Sequence, residues 1–444
     1  MGSGSGRFAY HFIRELRIKL EESAHPAMAF RYVMTDVAHS NIEAWMRHPK
    51  LGALVVDGIL DFAHFDASTP APFRTRVNEH LYLPGSCKPP VVVLANYTLD
   101  SLPTDAFLAA EGTLFERRIS ILSSTEDLAL QDVHDLDQLR WMEERGPADL
   151  PCYGDALRDS IVASYLEHPE PISFFFPTAA IDTMEFLASL SSGRMLLFAA
   201  DKGFVHPHQM DGDVSLDLVP HGGVFSLMVN FHALGSFFTG RGGSMFTSGQ
   251  RETNLTTALC TEGYGSSAIP RTIDAYRRNF VDFTPYDYMH LAKLTWESLP
   301  LISHRHFLSL LRLSNYDPTL VLRYQAAVIH KAESIESPLR EDLLDALNTA
   351  WNRHYLVQGD PNDLHFVMGV IFQAMGESNS ALNAYHHSIT EHGEHATTSF
   401  NIALVKRDLG DLAGALDDAQ KTLELSPDHK DALRLVNKLS QGAS

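Results

Sequence analysis

The chain opens on MGSGSGRFAYHF, where glycines at 2, 4 and 6 stand directly before an amphipathic stretch. A glycine-rich loop running into a helix lets backbone N–H groups and the helix N-terminus approach a ligand closely. The same letters also read as a flexible Gly/Ser linker, so the loop alone decides nothing. The order of residues after it adds weight. Asp36 closes an apolar run, AMAFRYVMTD, where a carboxylate can accept hydrogen bonds from both hydroxyls of a ribose. Asp61 and Phe62 come after a third run, LGALVVDG, an acid and an aromatic suited to an adenine. Asn96 ends a fourth, PPVVVLAN, at the carboxyl edge of a parallel sheet, where ligand crevices form. Gly2, Gly4, Gly6, Asp36, Asp61, Phe62 and Asn96 thus form an ordered set for a nucleoside. Forcing Gly4, Gly6 and Ala9 into a dinucleotide pattern leaves Asp36 well beyond the ~20 residues expected for the ribose acid. S-adenosylmethionine suits the set better, and a nicotinamide-linked oxidoreductase is the weaker alternative.

These residues need a scaffold. Phe8, Phe12, Ile13, Leu16 and Leu20 at helical spacing predict a helix from residue 7. AMAFRYVMTD, LGALVVDG, PPVVVLAN and GRMLLFAADKG read as buried strands, with AHSNIEAWMRH and MVNFHALGSFF as helices between them. Continuous apolar strands alternating with helices predict a parallel α/β sheet covered on both faces. Residues 124–178 are acidic and mixed in pattern, which predicts an insertion or helical lid. Beyond about 265 the chain reads as all-α.

The C-terminal region repeats itself. GESNSALNAYHHSI at 376–389 aligns without a gap to GDLAGALDDAQKTL at 410–423. Gly376 and Gly410, Ala381 and Ala415, and Leu382 and Leu416 are each 34 residues apart, and Gly369 and Ala403 match one helix earlier. That period with small residues at those places is the tetratricopeptide pattern. Two repeats and a capping helix at 430–440 are short for a solenoid, so helices at about 300–358 are expected to complete the stack.

Composition excludes some roles. The formal net charge of −20 argues against duplex nucleic acid and against an anionic membrane surface, both of which need a basic face. Cys87, Cys152 and Cys260 are few, odd in number and far apart, which points to a reducing, cytoplasmic setting without a disulfide framework. No zinc-type Cys/His ladder is present, and no metal is expected. FVHPHQMDGD carries His206, His208, Asp211 and Asp213 but reads as a solvent loop, and HHSITEHGEH reads as a solvated helix face.

LANYTLDSLPTDAF resembles the NEFxDALP signature of the MidA-like class I methyltransferases, which include the mitochondrial complex I assembly protein that methylates an arginine. LLFAADKGF resembles that family's late strand ending in DYG. MVNFHALGSFFTGRGGSMFTSGQRETNL resembles its HVDFxAL segment, and GSGSGRF its glycine loop. The resemblance covers about residues 1–262. It implies a Rossmann-like methyltransferase fold binding S-adenosylmethionine through Gly2, Gly4, Gly6, Asp36, Asp61 and Asn96, with Asp100 as the catalytic carboxylate at the substrate mouth. Tyr97 stands where the family has glutamate, and Lys202 where it has tyrosine. The family also carries a strand before the glycine loop. Losing about five buried apolar side chains there costs on the order of 8–15 kcal/mol, so the expectation is a start assigned too late or a fragment.

The expected organisation is a methyltransferase-like domain at 1–262, a helical connector at 263–360 and tetratricopeptide repeats at 361–444. Its expected function is methyl transfer to a protein acceptor, arginine being one option, recruited as a protein or peptide partner by the repeats. The alternative is a catalytically inactive adaptor whose repeats do the binding. The sequence does not fix the oligomeric state.

Overall fold

Ala9 and Ile13 lie one turn apart and are buried on helix α1 (Arg7–Glu21), while Phe8 at the start of the expected stripe stays 53% exposed. The computed structural model describes residues 1–26, 28–123, 139–214, 219–221, 224–249, 254–296, 302–330, 332–357 and 359–442. They fall into two units, Met1–Tyr288 and Met289–Ser444.

In the first unit, β1 (Tyr32–Asp36) is followed by α2 (His39–Arg47), α3 (Pro49–Val56) and β2 (Leu60–His64), which pairs parallel with β1. The expected third strand is displaced. LGALVV is the helix α3, with Pro49 in its first turn, Leu51 and Leu54 buried and Val56 87% exposed. A short apolar run cannot by periodicity alone choose between helix and strand, and here a proline in the first turn favours the helix. Asp61 and Phe62 therefore lie within β2 rather than after a strand.

Next come β3 (Val91–Asn96), β4 (Asp105–Ala110), β5 (Thr113–Ser123), β6 (Leu139–Pro147), α4 (Ala156–Leu166), β7 (Ile172–Phe176), α5 (Thr178–Ser189) and β8 (Met195–Asp201). They are followed by α6 (Phe231–Gly240), β9 (Ser244–Thr247) and β10 (Thr256–Glu262). β3 pairs parallel with β8, and β10 pairs antiparallel with both β8 and β9. The expected single sheet is thus two pieces, β2–β1 and β3–β8–β10–β9. The first residues of the chain bridge them: the Met1 nitrogen donates to Leu94 O at 3.0 Å and Ser3 N to Thr35 O at 3.0 Å. Beside that bridge lies a cavity of about 540 Å³ lined by Tyr32, Val33, Phe65, Val91 and Val93.

The segment expected to be an insertion or helical lid, 124–178, holds both strand and helix among its described residues. Residues 124–138 lie outside the described residues, and 139–147 form β6 in a second, antiparallel sheet of order β6–β5–β4–β7. Arg117 on β5 is buried beneath Glu143 on β6 in a two-pronged pair at 2.8 and 2.7 Å. Charged side chains that satisfy one another explain why this strand carries no apolar signal.

The first unit extends past residue 262 through α7 (Pro270–Phe280). Tyr276 is buried, and its hydroxyl donates to Thr257 O at 2.8 Å, holding α7 to β10. Helix α8 (Pro285–Trp296) runs across the division.

The second unit contains α9 (His304–Leu313), α10 (Pro318–Ile329), α11 (Ser337–Asn352), α12 (Leu364–Ala374), α13 (Ser378–His392), α14 (Ala396–Asp408), α15 (Leu412–Leu425) and α16 (Lys430–Gly442). One core joins Phe307, Leu311, Tyr324, Leu347, Phe372, Tyr385 and Ile402, so the helices before residue 358 complete the stack instead of forming a separate connector. The 34-residue period has a physical cause at each matched place. Gly376 and Gly410 are left-handed at φ 75° and 84°, and each is followed by the same closing bond, Glu377 N to Phe372 O and Asp411 N to Lys406 O. Ala381 and Ala415 are fully buried. Gly369 faces the Tyr385 ring so closely that a Cβ would come within 2.4 Å of it. These repeated helical hairpins are a tetratricopeptide-like stack. Among the described residues no helix is long and apolar enough to cross a membrane.

Candidate functional site

The glycine loop crosses the carboxyl ends of β1 and β3. Gly2, Gly4 and Gly6 have φ of 59°, 50° and 84°, a region in which residues with a Cβ are strained. Gly4 N donates to Asp36 Oδ2 at 3.0 Å, and Trp45 Nε1 donates to Gly4 O at 2.8 Å. At Gly2 a Cβ would lie 2.6 Å from Thr98 Oγ1, just beyond the end of β3. From β1 the chain winds outward to β2, and from β3 outward to β8, so the loop occupies the point where the winding reverses. Ligands of open α/β sheets bind at such a point.

Asp36, 8% exposed, accepts Gly4 N on one oxygen and Ala38 N at 3.0 Å on the other. Each carboxylate oxygen still has a lone pair to offer. Asp61 is placed differently. Fully buried, it accepts from Phe62 N, Val77 N, Asn78 N and Asn78 Nδ2. Burial raises its pKa, but hydrogen bonds from Thr75, Val77, Phe62 and Asn78 outweigh that and hold it below the usual range. Phe62 is 1% exposed and packs 5.9 Å from the Trp45 ring. Both belong to the core, and the expectation that they flank an adenine does not fit their burial. Asp61 instead anchors the segment 75–78.

Asn96 is exposed at the end of β3. Tyr97 follows at φ 50°, 60% exposed. Thr98, Leu99 and Asp100 then donate their N–H groups to one oxygen of Asp201, at 3.0, 2.9 and 3.2 Å, and Lys202 N donates to the other at 3.0 Å. Asp201, at the end of β8, is fully buried, and sequence reasoning did not select it. Burial and then the neighbouring Asp100 push its carboxyl up to about 7, against those four N–H groups. Asp100 itself is half-buried. Its carboxylate accepts from the Ser226 hydroxyl and its carbonyl accepts Leu227 N at 2.8 Å, while Lys202 Nζ donates to Ser226 O at 3.0 Å. The structure thus brings Gly4 together with Asp36 on β1, and sets Asn96 at the end of β3 and Asp100 on the following loop, whose Thr98 lies against Gly2.

A fit to S-adenosylmethionine is partial on these facts. The close approach at Gly2, the left-handed glycines, Asp36 and Asn96 suit such a ligand, whereas Asp61 and Phe62 do not face it. Three histidine groupings lie outside this crevice. His39 and His64 stack at 4.4 Å, His64 being the register partner of Asp36. His354, His365 and Glu391 converge in the second unit, although HHSITEHGEH read as a solvated face. His206 and His208 stack at 5.5 Å around the short 3-10 turn Pro207–Met210.

Comparison with known proteins found no matching family model and no matching curated protein, so no relative supports the methyltransferase resemblance. Among solved structures, two of MamA match the C-terminal part. The first has 15% identity and a TM-score of 0.26 over 32% of this chain and 76% of that one. The second has 16% identity and a TM-score of 0.28 over 35% and 80%. YrrB, described as a tetratricopeptide protein with an unusual peptide-binding site, matches at 17% identity and a TM-score of 0.28 over 38% of this chain and 82% of its own.

Proposed function

We propose that the first unit binds S-adenosylmethionine in the crevice above Gly2, Gly4 and Gly6 and methylates a protein segment recruited by the repeats. The observation that carries this reading is the glycine loop at the reversal of winding, where Gly2 lies too close to Thr98 for any side chain. The ligand would supply a methyl group already activated on a sulfonium. The backbone of the loop and the exposed Asn96 would hold its polar ends, and Asp36 would accept from its ribose. Positioning then accounts for most of the rate, because an oriented acceptor avoids the entropic cost of encounter. Asp100 would orient the acceptor nitrogen and take its proton at a carboxylate oxygen, an arginine guanidinium being one acceptor of suitable charge. Its fixed loop favours this part, since three successive N–H groups are tied to Asp201.

A second reading, an inactive shell whose repeats bind a protein, is favoured by the intrachain N–H groups already on both oxygens of Asp36 and by Tyr97 in place of glutamate. Calorimetry of the full chain with S-adenosylmethionine and its demethylated product separates the two. Binding with transfer lost in Asp100→Ala and affinity retained supports the enzyme. No binding of either compound leaves the adaptor.

A further inference from the structure

We propose that His354, His365 and Glu391 form a zinc site that fastens the α11–α12 connection to α13. The three ligand atoms come from separate elements and lie within 4.8 Å of one another. His354 follows the end of α11, His365 is in the first turn of α12 and Glu391 is in the last turn of α13. His365 Nδ1 lies 2.7 Å and His354 Nε2 3.6 Å from the same Glu391 oxygen. The two imidazole planes cross at 84° with centroids 5.0 Å apart, an edge-to-face rather than a stacked arrangement.

Tetrahedral zinc with bonds of about 2.0–2.2 Å holds its ligand atoms roughly 3.3–3.5 Å apart. The His354 distance is already near that value. The His365 contact, at 2.7 Å, must open by about 0.6–0.8 Å, which rotation of the Glu391 carboxylate can provide. Two imidazoles and one carboxylate leave a fourth position for water, the make-up of an open zinc site.

An ordinary ion pair accounts for less of this geometry. One imidazole would satisfy the carboxylate, yet two from separate elements turn to the same Glu391 oxygen. The surroundings are also fixed in advance. His365 is 4% exposed and lies 4.3 Å from the Trp351 ring. Asp363 caps α12 by accepting Phe366 N at 2.8 Å, and it accepts the Ser388 hydroxyl of α13 at 2.6 Å. Ligands held this way lose little freedom on chelation.

The test uses the full chain, stripped with a chelator and titrated with zinc chloride by calorimetry, together with Co²⁺ absorption as a geometric readout. The expected result is one equivalent bound, a tetrahedral Co²⁺ spectrum, and affinity at least ~10-fold weaker in both His354→Gln and Glu391→Gln. Zinc should raise the melting temperature of the parent chain and have little effect on either variant. His208→Gln, which alters the histidine pair of the first unit, should bind as the parent does. Absence of stoichiometric uptake, uptake undiminished in both site variants, or uptake lost in His208→Gln would overturn the proposal. If one site variant fails to fold by circular dichroism, the other decides.

Discussion

Replacing Asp201 with asparagine should change the pH response of the loop that carries Asn96 and Asp100. Burial and Asp100 push the Asp201 carboxyl up to about 7, from the value near 4 of an unfolded aspartate. A raised folded-state value means that the native state holds the proton more tightly than the unfolded chain. Stability from this group is therefore complete below about pH 4 and is lost as pH rises towards 7. At about 1.4 kcal/mol per unit, three units give a ceiling of about 4 kcal/mol, with about 2–3 kcal/mol of it falling between pH 5 and 8. Asparagine keeps an oxygen for the N–H groups of Thr98, Leu99 and Asp100 but sets an amide against Lys202 N, a cost of about 1–3 kcal/mol that does not vary with pH. Amide hydrogen exchange of residues 98–100 in both proteins at matched pH isolates the difference, because intrinsic exchange cancels. The variant should gain on the parent by about 2–3 kcal/mol of opening free energy from pH 5 to pH 8. A difference constant across that range would mean that the four backbone N–H groups keep Asp201 ionised, and the reasoning from burial would fail.

Gly2→Ala should weaken S-adenosylmethionine binding by at least ~10-fold in titration calorimetry, since its Cβ would meet Thr98 Oγ1 at 2.6 Å on a left-handed backbone. Gly369→Ala should destabilise the second unit by about 1–3 kcal/mol in urea unfolding, because the added carbon would lie 2.4 Å from the Tyr385 ring. That ring cannot swing aside freely, as its hydroxyl donates to Gln373 and accepts from Asn401. Asp100→Ala should abolish methyl transfer while leaving ligand affinity within about threefold; loss of both together would make Asp100 a structural residue.

Local rules carried far in the repeats and less far in the sheet. Gly376 and Gly410 announce themselves because each ends a helix in the same left-handed turn, and Ala381 and Ala415 because helices pack closely there. These are contacts within one period, and sequence spacing shows them directly. β6 stayed hidden because it owes its place to pairing with β5 and to Glu143 over the buried Arg117, a partner outside its own segment. LGALVV reads as a strand because it is apolar on every side, and Pro49 in its first turn is the local signal that favours the helix. His365 and Glu391 stayed hidden for the same reason as β6: a three-helix arrangement must exist before they meet.

Acids at strand ends show the limit most clearly. Asp36, Asp61 and Asp201 look alike as motifs, each in or ending an apolar strand, yet their donors decide what they do. Asp61 takes N–H groups from Val77 and Asn78, and Asp201 takes them from Thr98, Leu99 and Asp100, about a hundred residues away in sequence. Both are spent on holding loops, with opposite effects on their titration: hydrogen bonds outweigh burial at Asp61, and burial with a second carboxylate outweighs them at Asp201. Asp36 lies between these cases, with one backbone donor on each oxygen and room on each for another. Asp36→Asn retains an acceptor for only one of the two donors. It should lower affinity for S-adenosylmethionine at least ~10-fold if the second lone pairs meet a ribose, at a stability cost of about 1–2 kcal/mol from the N–H left without its acceptor. Affinity unchanged at that same cost would make Asp36 a loop anchor like Asp61, and the ribose assignment would fall with it.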